Sequence, residues 1–372
     1  MEKNIVDVDL IRIFAATSVA IFHLLYWIGV DYQNPIYNAG GGAFNFFYLS
    51  KYTWFGWVGV EIFFVISGFV VAYTSAACGP TEFLMRRVLR LLPTVLICAT
   101  LTLIAVMSAR GSALTNGLVQ INTADAMLMW LRSVTFFPIG PWIDPPYWTL
   151  PIEVFFYAIV FICVLVNRIR WLPNLMVVVG AFSTLWNVAV YLGILENSDI
   201  GNSWSQFVLL RHGCEFAIGV LLWRSIFVGF NIIYVSLLPI FIVGGCIEIS
   251  GRAAWGFSVS AIPFDQPLVV PIVIWLIAIG ALIASGLMHV KVQNCLKFKS
   301  LVRKIAIATF PFYLLHSFIG ALLMRLLFEL SFWPLMCVMV SLTVIAICSF
   351  IVSEIIEPLM RKAILLFIAR LK

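Results

Sequence analysis

Charge is what this sequence has least of. Only 11% of its 372 residues are Asp, Glu, Lys or Arg, against roughly 25% in an ordinary soluble domain. So little polar surface cannot coat a water-soluble globule. The scarcity excludes a soluble enzyme, a nucleic-acid-binding module and a disordered chain. Paired cysteine motifs are lacking too. The eight cysteines contain no Cys-x-x-Cys. Most of them, among them Cys98, Cys163, Cys214, Cys337 and Cys348, fall in apolar runs. They read as small core residues, with no metal centre and no disulfide framework expected. Short segments of alternating apolar and polar residues are also missing, which argues against a membrane β-barrel. The start lacks the marks of a cleaved signal peptide, because Asp7 and Asp9 precede the apolar run, Arg12 interrupts it and no small-residue cleavage site follows. Internal repeats and low-complexity tracts are not found. Nor is a matched pair of Gly/Pro-broken spans, the sign of an inverted-repeat transporter.

What remains is apolar. Hydrophobic residues make up 63% of the chain, and the mean hydropathy is +1.06. A helix crossing a bilayer needs about 20 mostly apolar residues. Ten stretches qualify: Ile11–Val30, Trp54–Ala77, Val88–Ser108, Trp148–Val166, Leu172–Leu195, Gln206–Trp223, Ile232–Ile249, Pro267–Met288, Ile305–Phe328 and Pro334–Ile356. The stretch Leu118–Pro138 is interrupted by Asn122, Asp125 and Arg132, and reads as a loop with an interfacial helix. The expected fold is an all-α polytopic membrane protein with about ten transmembrane helices. A single transmembrane domain is expected over 1–372, its core over 9–358, with no appended soluble domain expected.

Basic residues orient it, since Lys and Arg accumulate on the cytoplasmic side. With alternating spans and a cytoplasmic N-terminus, one side holds Lys3, Arg12, Arg86, Arg87, Arg90, Arg168, Arg170, Arg224, the basic loop Lys291–Lys304 and the basic C-terminal residues. The other side or outer span halves hold Lys51, Arg110, Arg132, Arg211, Arg252 and Arg325. Both termini are expected in the cytoplasm. The net charge of +6 reflects this bias and implies no nucleic-acid partner. Acidic residues outside the spans, among them Asp31, Asp125, Asp144, Glu196, Asp199, Glu248 and Asp265, are expected in outer loops.

Ionisable residues inside a span are costly, which makes each a functional candidate. Arg12 and His23 are 11 positions apart, about 20° past three full helical turns, so they share a face and lie about 16 Å apart along the axis. Arg12 also suits a snorkelling anchor paired with Asp9, and His23 an interhelical hydrogen bond. In the ninth span His316 falls at a matching depth. Glu61 and Glu153 each lie about 8–10 Å below the outer edge of their spans, where a carboxylate can orient a His ring, take its proton, or simply tie helices together. Arg211 and Glu215, at i and i+4, are expected to neutralise each other. Arg86, Arg87 and Arg90 suit either a phosphate site or topology and anionic-lipid contact. The loop Asp31–Tyr52, rich in Gly and aromatic residues, suits a sugar face or an interfacial aromatic belt.

The residues flanking these groups carry a resemblance. Asp9-Leu-Ile-Arg12, followed after ten residues by His23, resembles the opening motif of the acyltransferase-3 family of integral membrane O-acyltransferases. Gly56-Trp-Val-Gly-Val-Glu61-Ile-Phe-Phe-Val-Ile-Ser67-Gly68-Phe69 is similar to its second-span motif. Arg86-Arg87-Val-Leu-Arg90-Leu-Leu-Pro93 is similar to its basic turn, and Trp148-Thr-Leu-Pro-Ile-Glu153-Val-Phe-Phe156-Tyr157 to its Trp-x-Leu-x-x-Glu-x-x-Phe-Tyr segment. Phe312-Tyr313-Leu-Leu-His316 and Ser353-Glu-Ile-Ile-Glu357-Pro358 resemble its late and closing motifs. All six keep their order from residue 9 to 358.

The resemblance implies an acyl group, most often acetyl and sometimes succinyl or longer, moved from a cytoplasmic acyl-CoA. The acceptor is a hydroxyl of a surface polysaccharide, a lipid-linked glycan or a small glycoside, and the setting is a bacterial inner membrane. On this reading Arg86, Arg87 and Arg90 hold the nucleotide phosphates with Arg12 nearby, His23 is the general base, and Glu153 holds its tautomer or takes its proton. Glu61, Ser67, Tyr157, Tyr313 and His316 complete the pocket. Acyl-CoA is the donor substrate and no metal is expected. Direct transfer and an acyl-histidine relay both remain open. The opposing class is a proton-coupled transporter or flippase, to which midplane His and Glu residues are equally suited.

Overall fold

The computed structural model describes residues 6–30, 35–195, 208–259, 267–295 and 298–370. Lys3, Asp31, Tyr32, Glu196, Asp199, Asp265, Lys297, Lys372 and the side chain of Lys291 lie outside the described residues. Among the described residues every regular element is a helix. In chain order these are α1 (Val6–Ile21), α2 (Pro35–Ala39), α3 (Phe47–Thr53), α4 (Gly59–Ser75), α5 (Pro80–Ala109), α6 (Thr123–Val134), α7 (Thr149–Leu165), α8 (Leu172–Tyr191), α9 (Gly213–Trp223), α10 (Ile232–Val259), α11 (Val269–Cys295), α12 (Lys299–Leu315), α13 (Phe318–Glu329), α14 (Pro334–Ile351) and α15 (Glu357–Arg370). Helices are what an apolar solvent demands, because each satisfies its own backbone hydrogen bonds.

Among the described residues, eight helical stretches are long and apolar enough to cross a bilayer, and nine if the bent pair α12–α13 forms one span. The ninth expected span is therefore two helices, bent by 76° at His316–Ser317. Of the remaining expected span, Gln206–Trp223, residues 206–207 lie outside the described residues, and the described part is helical over the 11 residues of α9, about 16 Å. Every one of those residues is buried in protein. Its apolar side chains face protein rather than lipid, a distinction that composition does not make. Leu118–Pro138 does carry a separate short helix, α6. Asn122 caps it by accepting from the Asp125 N–H at 2.8 Å, and Trp130 Nε1 donates to Thr100 Oγ1 on α5 at 3.2 Å.

α4 lies at the centre, against α1, α7, α9 and α11. Its span is 78% buried, whereas that of α10 is 28% buried and presents Ile240 and Val243 outward. The α4–α9 crossing is close because it is lined by glycine. A Cβ on Gly219 would collide with the Val65 carbonyl, and one on Gly68 with the Phe216 carbonyl. Small residues allow such backbone approach where apolar surface alone provides no drive.

Candidate active site and the buried charges around it

α1 changes character where the chemistry is expected. Its regular hydrogen bonding ends at Ile21, a π-helical turn runs over Phe22–Tyr26, and a 3₁₀ turn follows over Trp27–Gly29. Such widened turns recur at functional positions, and here the turn carries His23. His316 sits at the α12–α13 bend. The two meet across the protein, His23 Nδ1 lying 2.9 Å from His316 Nε2.

Neighbouring carbonyls assign the protons. His316 Nδ1 is 2.8 Å from the Tyr313 carbonyl oxygen, which can only accept, so this nitrogen carries hydrogen. In the neutral ring His316 Nε2 then holds the lone pair. His23 Nδ1 must donate to it, and its 3.0 Å approach to the Val19 carbonyl oxygen agrees. The basic nitrogen of His23 is therefore Nε2. The bend itself is held from another segment: Asp144 accepts from the Phe318 N–H at 3.1 Å and from the Ser317 hydroxyl. Asp144 lies in the connection between α6 and α7, as expected of a loop residue, but is fully buried there. Tyr313 is tied to Thr149 at 3.4 Å, and its ring centroid lies 5.8 Å from that of His316.

A second group forms at the start of α1 and α5. Glu153 accepts from Ser67 Oγ at 3.2 Å and from the Tyr157 hydroxyl. Arg87 donates to Thr74 Oγ1 and packs over the rings of Phe83 and Tyr157, 5.3 and 5.1 Å from their centroids. Arg90 feels the charges of Glu153 and Glu357, and Arg12 feels Arg90 and Tyr157. Asp9 joins Arg12 at 3.6 Å to Arg303 at 3.0 Å. By sequence Arg303 belongs to a basic loop; the signal that singles it out is its depth-matched partner Asp9 beside Arg12. Arg86 does not join. It lies on the exposed face of α5, paired with Glu82 at 2.5 Å, because consecutive helical residues point about 100° apart.

Glu153 therefore forms no bond to His23; that place is taken by His316. Nor does Glu153 share a depth with Glu61. It bonds Ser67, which lies six residues, or about 9 Å, further along α4 than Glu61.

Glu61 belongs to a third group. Arg252 Nη1 donates to its Oε1 at 2.5 Å, and His212 Nδ1 lies 3.3 Å from its Oε2. Arg252 lies over Trp57 and Trp148, 4.8 and 5.0 Å from their ring centroids. Arg211 pairs with Glu248 at 2.9 Å and not with Glu215. Arg211 precedes the first residue of α9, so the i, i+4 geometry of a helix does not apply. Glu248, expected in a loop, is buried within α10.

In the aromatic segment before α4, Phe44 is buried and stacks on Phe46 at 5.9 Å. Tyr48 and Tyr52 are exposed.

The fold is that of a polytopic helical membrane protein, with a histidine pair inside the membrane domain and an arginine group about 16 Å away along α1. The chain belongs to the acyltransferase-3 family, whose acyltransferase domain matches residues 5–354. It is 28% identical over 182 residues to a protein of Komagataeibacter xylinus named as a membrane-bound transacylase, BcsY, a match covering 45% of this chain and 44% of that one. It is 26% identical over 270 residues to the exopolysaccharide production protein ExoZ of Rhizobium meliloti, covering 71% of this chain and 76% of that one. No solved structure matches the chain.

Proposed function

We propose that the protein transfers an acyl group, acetyl above all, from a cytoplasmic acyl-CoA to a hydroxyl of a cell-surface polysaccharide or lipid-linked glycan. It does so in a bacterial inner membrane with both termini cytoplasmic. The observation that carries this reading is the 2.9 Å contact of His23 with His316, which leaves one basic imidazole nitrogen. Arg12, on the same helix, lies about 16 Å from it. That separation suits the long, thin arm of a CoA thioester, with its phosphates at Arg87, Arg90 and Arg12.

The reaction follows from the proton assignment. His23 Nε2 takes the proton of the acceptor hydroxyl as its oxygen attacks the thioester carbon. The tetrahedral adduct collapses, the carbon–sulfur bond breaks, and the proton passes from His23 to the departing CoA sulfur. While His23 is cationic, its Nδ1–H points at the lone pair of His316, which steadies the charge. The glycan acceptor is supported by the name of the ExoZ relative and by the exposed Tyr48 and Tyr52. The test is transfer of labelled acetyl-CoA into surface glycan, read by mass spectrometry. The His23→Ala protein, inserted normally, is expected to lose about 10²- to 10⁴-fold in rate. Undiminished transfer would overturn the role.

A further inference from the structure

Glu61 on α4, His212 just before α9, Glu215 on α9 and Glu248 on α10 converge without exposure to solvent. Each offers a ligand atom within 4.8 Å of all the others. The carboxylates share one pattern. One oxygen of each is held by a donor: Glu61 Oε1 by Arg252, Glu248 Oε1 by Arg211 at 2.9 Å, and Glu215 Oε2 by the Cys214 thiol at 3.2 Å. The second oxygen of each, Glu61 Oε2, Glu248 Oε2 and Glu215 Oε1, has no hydrogen-bond partner. His212, only 1% exposed, has neither ring nitrogen bonded, although Nδ1 lies 3.3 Å from Glu61 Oε2. Buried polar atoms without partners are rare and costly.

We propose that these four side chains bind a divalent first-row cation, Mn²⁺ or Zn²⁺, that ties α4, α9 and α10 together. Three carboxylate oxygens and one imidazole nitrogen form a mixed donor set suited to such ions. Arg252, Cys214 and Arg211 act as the outer partners that orient ligating oxygens. Charge sets the competitor. Three carboxylates and two guanidiniums leave the cluster one negative charge in excess when His212 is neutral. One proton balances that charge but bridges only a pair of the free atoms. A divalent ion engages all four, and carries the charge of two protons. Binding therefore displaces protons, and weakens as the pH falls.

The test uses the full chain purified in detergent and stripped with chelator. Titration with Mn²⁺ or Zn²⁺ is expected to show saturable uptake of about one ion per chain, released on acidification, together with a raised unfolding midpoint. Glu215→Gln and His212→Ala are each expected to weaken uptake by at least about tenfold. Lack of saturable uptake by the wild-type chain overturns the proposal whatever the variants do. Uptake unchanged in both folded variants overturns it equally, and satisfaction of the cluster by protons alone is then the answer.

Discussion

Two polar groups inside this protein, the half-buried to buried His23–His316 pair and the fully enclosed cluster around Glu61, meet the same hostile surroundings in opposite ways. The pair carries no formal charge when both rings are neutral, and every nitrogen but one has a partner: the Val19 and Tyr313 carbonyls and the other ring. The one left over is the nitrogen that chemistry requires. Around Glu61 full charges are brought inside, tied by Arg252 and Arg211, and several acceptors are left over at once. The lesson is about cost. A neutral pair can spare one lone pair cheaply, whereas a charged cluster remains stable only while all its members are present.

Removing one member of the charged cluster should therefore have the largest effect. Arg252→Ala leaves Glu61 buried without its cation and is expected to cost about 3–5 kcal/mol, read as a lowered unfolding midpoint in detergent. The double variant Arg252→Met/Glu61→Gln should recover much of the loss. A cost no greater than that of an exposed ion pair would erase the contrast.

The clamp on the histidine bend gives a pH signature of nearly that size. Burial pushes the Asp144 carboxyl up from 3.8 to about 7, against the opposing hydrogen bonds from Ser317 and Phe318. A folded-state value above the unfolded one favours the protonated form on folding. Its stabilising effect is complete below about pH 4 and is lost as the pH rises toward 7. That linkage amounts to at most about 4 kcal/mol. Unfolding midpoints measured across this window should fall with rising pH in the wild type, and much less in Asp144→Asn, which keeps an acceptor for the Phe318 N–H. Equal slopes would remove the clamp from the account.

His316 is a positioning residue, so its loss should cost less than loss of His23. His316→Ala is expected to lower kcat about 10- to 100-fold with little change in KM for acyl-CoA, and to shift the pH–rate profile of His23. His316→Gln, which restores an acceptor, should recover part of it. An unaltered profile would leave His316 a merely structural contact.

The smallest effects separate two neighbouring arginines. Arg87→Ala, which removes a buried guanidinium stacked on two rings, is expected to raise KM for acyl-CoA about tenfold, near 1.4 kcal/mol. Arg86→Ala breaks an exposed pair and should change KM and stability by less than about 1 kcal/mol. Equal responses would return both to topology and lipid contact.

The sequence shows more of the arginine–histidine axis than of the Glu61 cluster, and the reason is covalent. Arg12 and His23 lie on one helix, where 11 positions fix a common face by arithmetic. Likewise Arg86 and Arg87 diverge because they are adjacent. The Arg211–Glu215 expectation failed by the same arithmetic, applied where no helix exists. Arg252 and Glu248 gave no local signal: their partners lie 191 and 37 positions away, and only packing unites them. Nor does composition show that α9 is buried on every side, because core and bilayer select the same apolar residues.

Composition alone determined that this chain lives in a membrane as a bundle of helices, because 11% charge cannot solvate a surface. Its motifs determined the family. The tertiary structure decided which buried groups face one another: that His316, not Glu153, completes His23; that Arg303 and Asp9 close the arginine group; and that three glutamates share one cluster. Contacts between helices depend on crossing positions and bends, such as the 76° turn at His316–Ser317. No periodicity within a single span encodes those.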